Sequence, residues 1–235
     1  VNTVALVPIN TLTAAKSRLS GSVGAEERQA LVLWMASRVL AAVRRSGAVT
    51  SVAVVSPDPA VLCWSEGQGA TAVHQVNGDL NDGLEVGRRW ALAHGAEALL
   101  VLLADLPFLT PRDVRAMVSA AAPAPASTPT STLASVPARV QAAVVLAPDR
   151  TGRGTNGLLI RPATLLPFAF GQDSLEQHLA LARERGLEPL LRRMAGTCFD
   201  VDTPSDLEEL RWRRMAAEHE HEHDAATTHA RGEWA

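Results

Sequence analysis

The chain contains no tyrosine, two cysteines and a single lysine among its 235 residues. With only four Phe and five Trp, the interior must be filled by Leu, Val and Ala. Cys63 and Cys198 are too few for a disulfide framework. The chain lacks a charged-then-apolar leader and any apolar run of about 18 residues, so we expect a soluble cytoplasmic protein with no membrane partner. Two glycine-rich phosphate signatures are missing as well. Neither Gly-x-Gly-x-x-Gly nor Gly-x-x-x-x-Gly-Lys-Ser/Thr follows the first apolar run, which excludes a dinucleotide fingerprint and a P-loop. Charge of one sign is scarce too. The formal net charge is −3, of which residues 216–235 supply five acids against one Arg. The rest of the chain is close to neutral, which argues against a nucleic-acid-binding surface.

What is present is a globular composition, 47 % hydrophobic and 20 % charged, which excludes a mainly disordered chain. The length suits one α/β domain. We read residues 1–215 as that domain, interrupted near 121–138 by a low-complexity insertion (APAPASTPTSTLASVPA) without period or core-forming content. Residues 216–235 read as a disordered tail in which His219, His221 and His223 alternate with glutamates. An apolar run at 4–9 and a polar loop at 10–22 precede Leu31, Val32, Met35, Val39, Leu40 and Val43, whose spacing predicts a helix over 26–45, closed by Gly47. Strands at 52–55 and 70–73, a short helix opened by Ser56-Pro57-Asp58 and a helix at 81–94 continue a β-α alternation. The stretch ALLVLLA at 98–104 is apolar on both faces, which fits a central parallel strand. Thr110 caps a helix whose first residue is Pro111. Further strands are expected at 144–147, 158–160 and 198–201, with helices at 175–185 and from the N-cap Thr203 onward. The fold class is therefore α/β, a doubly wound, mostly parallel sheet with some antiparallel excursion.

Ligands of an open α/β sheet bind beyond the carboxyl ends of its strands. Asp105 follows the central strand, and Asp200 and Asp202 close the last, where positions i and i+2 face the same side. Three converging carboxylates repel unless a cation neutralises them, so Asp105, Asp200 and Asp202 are candidate metal ligands. The plainer alternatives are a turn residue before Leu106 for Asp105 and an Asx-type bond at the final helix for Asp202. In the loop NTLTAAKSRL, Lys16 and Arg18 beside small residues can hold a triphosphate, one as a point charge and one as a fork. Every other basic residue is Arg, so Lys16 is expected where a compact ammonium is needed; a solvated loop lysine is the competing reading. The loop PDRTGRGTNGLL offers glycines that let backbone N–H groups approach an anion, and Thr155 as a hydroxyl donor. Gly171-Gln172-Asp173-Ser174 precedes a helix whose free N–H groups favour a phosphate or carboxylate, unless Ser174 is an ordinary N-cap. His74, His94 and His178 stand alone and are read as structural.

Taken in order, AKSRL, Leu80-Asn81-Asp82-Gly83-Leu84, ADLP, PDRTGRGTNGLL, FGQDSLEQH and DVDTPSDLEEL resemble the 2-phospho-L-lactate or phosphoenolpyruvate guanylyltransferases of coenzyme F(420) biosynthesis. The resemblance covers residues 4 to about 210. It implies a fold of the nucleotide-diphospho-sugar transferase type and transfer of GMP from GTP to phosphoenolpyruvate or 2-phospho-L-lactate, with release of pyrophosphate. It also implies that Asp105, Asp200 and Asp202 hold Mg2+ and that Thr155, Gly171 and Ser174 hold the phosphorylated three-carbon acid. Lys16, Arg18 and Asp105 are then the expected catalytic set, with Lys16, Arg18 and Asn81 on the nucleotide. Asn81 stands at a helix start, and its amide either reads guanine or ribose or caps the helix. A homodimer and hand-over of the product to the next pathway enzyme are further expectations. The family usually carries a lysine two places after the first strand's proline, where Pro8 is here followed by Ile9 and Asn10. Two other readings stay open: a nucleotidyltransferase for a sugar phosphate or molybdopterin, and a catalytically inactive GTP-binding partner protein.

Overall fold

Alternating apolar residues on β1 (Thr3–Pro8) and β4 (Ala98–Leu102) divide the core into two layers, one on each face of a sheet. Ala5, Val7, Leu100 and Leu102 point to one layer, and Val4, Leu6, Leu99 and Val101 to the other. Fully burying each of the Val and Leu side chains contributes about 1.5–3 kcal/mol, which makes this alternation the main determinant of strand register. The computed structural model describes residues 1–14, 16–76, 78–122 and 142–216. After β1 come α1 (Ala25–Ser46), β2 (Ser51–Ser56), α2 (Pro59–Gly67), β3 (Thr71–His74), α3 (Leu80–Ala93), β4 and α4 (Pro111–Ala120). The second half holds β5 (Ala143–Pro148), β6 (Thr155–Arg161), α5 (Ser174–Glu184), β7 (Leu190–Leu191) and a helix, α6, at residues 204–216. The sheet order is β3-β2-β1-β4-β6-β5-β7. Only β6 runs against the others, so β4 is flanked by parallel β1 and antiparallel β6 rather than by two parallel neighbours.

Residues of α1, α2 and α4 cover one face, and residues of α3 and α5 the other. Helix α3 lies unusually close to the sheet because Gly87 faces it; a Cβ there would come 2.8 Å from Val55 and 3.1 Å from Leu6. Gly47 ends α1 with φ 62°, and Thr110 caps α4 as expected.

The expected strand at 198–201 is not formed. Thr197 and Cys198 donate their N–H groups to the Met194 carbonyl in a turn, and Phe199 and Val201 are drawn into a third apolar cluster with Leu19, Met35, Leu207 and Leu210. That cluster lies among α1, α6 and the segment after β1, so the sheet ends instead on the two-residue β7. Of the expected insertion, Ala121 and Ala122 form the end of the α4 turn, and the rest lies outside the described residues. The tail also lies outside them, except that Ala216 belongs to α6. Among the described residues, no helix is long and apolar enough to cross a membrane.

Candidate active site

The third cluster explains how two distant loops meet. Leu19, just after the Lys16 loop, and Val201, between Asp200 and Asp202, are both fully buried in it. Their neighbours are consequently turned toward one cleft of about 450 Å³ beyond the carboxyl ends of β1 and β4. Lys16, Arg18, Asp105 and Asp202 line that cleft together with Pro8, Ile9, Asn10, Gln75 and Asp79. The loop after β1 is held from below by Asp58, which caps α2 through Ala60 N–H and also accepts the Leu12 N–H at 3.0 Å.

At the centre, Lys16 Nζ lies 2.6 Å from Asp105 Oδ2 and 2.7 Å from Asp202 Oδ1. Burial alone would lower its pKa, but the two carboxylates outweigh it and hold the pKa above the ordinary lysine value. Lys16 is thus a buried, charged lysine, not a solvated one. Its backbone is left-handed, with φ 51°, a conformation that costs a non-glycine residue about 1 kcal/mol or more and persists only where the surroundings enforce it. Arg18 reaches only to 3.8 Å from Asp202, with 76 % of its side chain exposed. Such an exposed pair is worth no more than about 1 kcal/mol, so Arg18 is free to turn to a ligand.

Asp105 sits in a turn after β4, but its carboxylate serves Lys16 rather than the turn, and its buried Oδ1 has no hydrogen-bond partner. Asp202 makes no Asx-type bond either. Asp206 takes that part, accepting the N–H groups of Asp202 and Thr203 while Thr203 caps the helix, which leaves the Asp202 side chain to the cleft. Asp200 is pushed up to about 6 by burial and by the Asp105 and Asp202 charges, against a 3.3 Å hydrogen bond from Asn156. Among the described residues, no three His, Cys, Asp or Glu side chains are grouped to hold a metal ion. The expected carboxylate cage is closed around a lysine instead, because the 200–202 segment leaves the sheet and the i, i+2 argument of a strand does not apply to it.

Thr155, Ser174 and Gly171 do not line the cleft, but β6 begins beside it: Asn156, next to Thr155, accepts the N–H of the cleft-lining Leu103 and donates to Asp200. Thr155 begins β6 and Ser174 begins α5, each 2 % exposed, while Gly171 lies exposed in the preceding turn with φ 135°. The Ser174 hydroxyl accepts the Thr155 N–H at 2.9 Å and does not cap α5. The glycines of the 149–154 loop let it wrap around Asp149, whose carboxylate accepts from Arg153 N–H and the Thr151 hydroxyl. Arg153 is tied to Asp173 at 2.8 Å on the surface. Asn81 neither caps α3 nor lines the cleft: Asp79 is the cap. Both ends of the Asn81 amide clamp the Phe170 backbone, accepting its N–H at 2.8 Å and donating to its carbonyl at 2.9 Å. His178, read as structural from the sequence, is hydrogen-bonded to Thr155 and Ala169. Its place four residues after Ser174 in FGQDSLEQH was the available signal.

A buried lysine between two carboxylates, in a cleft beyond the carboxyl ends of β1 and β4 on a sheet of this order, is a site suited to anionic ligands. Residues 34–198 match the family model described as a MobA-like NTP transferase domain. The chain is 41 % identical over 210 residues to a phosphoenolpyruvate guanylyltransferase of Sphaerobacter thermophilus, covering 89 % of this chain and 93 % of that one. A phosphoenolpyruvate guanylyltransferase of Rubrobacter xylanophilus is 40 % identical over 206 residues, 88 % of this chain and 92 % of its own. Among solved structures, one named as a nucleotide-diphospho-sugar transferase from Desulfovibrio desulfuricans G20 superposes with a TM-score of 0.68 at 17 % identity, covering 88 % of this chain and 85 % of that one. The last likeness concerns the fold. The chain belongs to the family of phosphoenolpyruvate guanylyltransferases, built on the MobA-like NTP transferase domain.

Proposed function

We propose that this chain transfers the guanylyl group of GTP to the phosphate of phosphoenolpyruvate and releases pyrophosphate, as a step of coenzyme F(420) biosynthesis in the cytoplasm. The observation that carries the reading is the Lys16 ammonium held between Asp105 and Asp202 in the cleft at the strand ends. The relatives' names favour phosphoenolpyruvate over 2-phospho-L-lactate and give no support to a sugar phosphate, a molybdopterin or an inactive partner.

A phosphate oxygen of the acid attacks the α-phosphorus of GTP; the new P–O bond forms as the bond to the bridging α,β-oxygen breaks, and pyrophosphate leaves with that electron pair. The attacking oxygen is already ionised, so no general base is required. The difficulty is gathering anions and stabilising charge that develops on the α-phosphoryl group. Lys16 is fully charged and fixed in a left-handed turn, which suits it to the triphosphate, and Arg18 adds a mobile fork. Asp105 and Asp202 would hold a divalent cation, Mg2+ in this reading, because the buried Asp105 Oδ1 has no hydrogen-bond partner and the Asp202 carboxylate faces the same cleft. When bound, such an ion would neutralise triphosphate charge. Thr155, Gly171 and Ser174 form the proposed acid subsite, and Arg153 supplies a guanidinium on the same loop as Thr155.

The direct test is to incubate the protein with each nucleoside triphosphate against phosphoenolpyruvate, 2-phospho-L-lactate and 3-phosphoglycerate, reading products by mass. The GTP and phosphoenolpyruvate pair should give the guanylyl product in excess over all others. A preference for another base or acid would overturn the assignment.

A further inference from the structure

Behind the start of β6, outside the residues that line the charged cleft, lies a fully buried histidine that no step above uses. His178 has 0 % exposure and follows Ser174 by four residues on α5, so the two side chains share one helix face. Its Nε2 accepts the Ala169 backbone N–H at 3.1 Å, and a ring nitrogen that accepts carries no proton. The one proton of the neutral ring is therefore on Nδ1, which faces Thr155 Oγ1 at 3.1 Å. Burial holds the ring neutral, pushing its pKa down to about 4. Thr155 can accept from this imidazole but cannot donate to it. The hydroxyl proton of Thr155 is left for an acceptor outside the pair. On the other side, the Ala169 bond and the Asn81 clamp on Phe170 fix the two residues that lead into Gly171, and the Phe170 ring packs edge-on against the imidazole at 4.9 Å.

We propose that His178 is a positioning residue of the acid subsite: its Nδ1–H bond directs the Thr155 hydroxyl proton toward an oxyanion of the phosphorylated acid, and its Nε2 bond to Ala169 holds the turn that presents Gly171. This rests on the assignment of Thr155 and Gly171 to the acid. A histidine that only fills the core would affect stability without selecting between the two substrates.

Steady-state kinetics of His178→Phe, His178→Gln, Thr155→Val and the double variant His178→Phe/Thr155→Val test it, with KM measured separately for phosphoenolpyruvate and GTP. His178→Phe should raise KM for phosphoenolpyruvate roughly tenfold while KM for GTP and kcat stay within about twofold. His178→Gln, which retains a donor and an acceptor, should recover part of the loss. Thr155→Val should match His178→Phe, and the double variant should be no worse than either single one. A raised KM in Thr155→Val with an unchanged one in His178→Phe overturns the proposal and leaves the subsite standing. An unchanged KM in Thr155→Val removes the subsite and the proposal with it. If His178→Phe does not fold, nitrogen-15 NMR of the imidazole in the full chain decides. Nδ1 should be protonated, Nε2 bare, and the signals should move on adding phosphoenolpyruvate but not GTP. A proton on Nε2, or indifference to phosphoenolpyruvate, overturns the proposal.

Discussion

Two polar corners of this molecule are built on opposite principles. Around Lys16, the Asp105 and Asp202 carboxylates and two cations gather in an open cleft with Asp200 buried nearby, and charge balance is incomplete: Asp105 keeps a buried oxygen without a partner, and Asp200 is pushed toward its protonated form. Around His178 the groups are neutral and, apart from the Thr155 hydroxyl proton, committed, with Ser174, Thr155, Ala169, Phe170 and Asn81 linked by hydrogen bonds at 2.8–3.1 Å. In the proposed reaction the first corner meets the polyanion and a cation, and the second fixes geometry. A transfer between two anions needs both, because counter-charge without orientation leaves the barrier of bringing the reacting oxygens into line.

The contrast can be broken at the charged corner with the largest expected effect. Asp202→Asn should lower kcat by about 10³-fold while thermal melting shows a folded protein, since the proposed cation ligand and the Lys16 counter-charge are lost at constant shape. Turnover near wild type would remove Asp202 from the chemistry. Lys16→Arg should cost roughly 10- to 100-fold in kcat/KM for GTP, with little loss of stability, because a wide fork replaces an ammonium seated 2.6 and 2.7 Å from two carboxylates. Wild-type kinetics in that variant would reduce Lys16 to a structural counter-ion.

These two residues also mark how far the sequence could be read. The lone lysine and the strand-end aspartates were visible as chemistry because charge in a loop after an apolar run has few other uses. Their mutual arrangement was not visible, since it depends on Leu19 and Val201 sharing an apolar cluster that no periodicity announces. The same cluster removed the expected strand at 198–201. Helix and strand positions along β1, α1, β2, α4 and β5 follow from apolar spacing and caps, within a residue or two. The neutral corner stayed hidden for a different reason. Ser174 and Asn81 each looked like helix caps, and nothing local in the sequence tells a capping side chain from one spent on a segment 19 or 89 residues away.

The neutral corner should answer to pH in the opposite way from the charged one. The folded pKa of His178, about 4, lies below its ordinary 6.5, so the unfolded chain binds the extra proton between these values and stability falls as pH drops from 6.5 toward 4. The contribution is at most about 3 kcal/mol. Asp200 has the reverse sign, its raised pKa favouring the folded state at low pH and losing that contribution as pH rises from about 4 to 6. The difference between urea unfolding of the wild type and of His178→Gln across this window isolates the histidine. A difference that does not change with pH would mean that His178 is not held neutral. The smallest effect is expected at Asn81: its amide is spent on Phe170, so Asn81→Ala should leave the preference for GTP over ATP unchanged within about twofold and raise KM for the acid instead. A loss of base preference would return Asn81 to the nucleotide.

In the proposed reaction the bond broken lies between the α- and β-phosphates of GTP while both corners hold their anions. Phosphorus-31 NMR of the protein with GTP, phosphoenolpyruvate and Mg2+ reads this in one spectrum. Pyrophosphate is expected together with, in equal amount, a new pair of coupled signals from a guanylyl phosphate joined to the phosphate of the acid, both absent with Asp202→Asn. Formation of GDP, or of pyrophosphate and free GMP without the coupled pair, would contradict it.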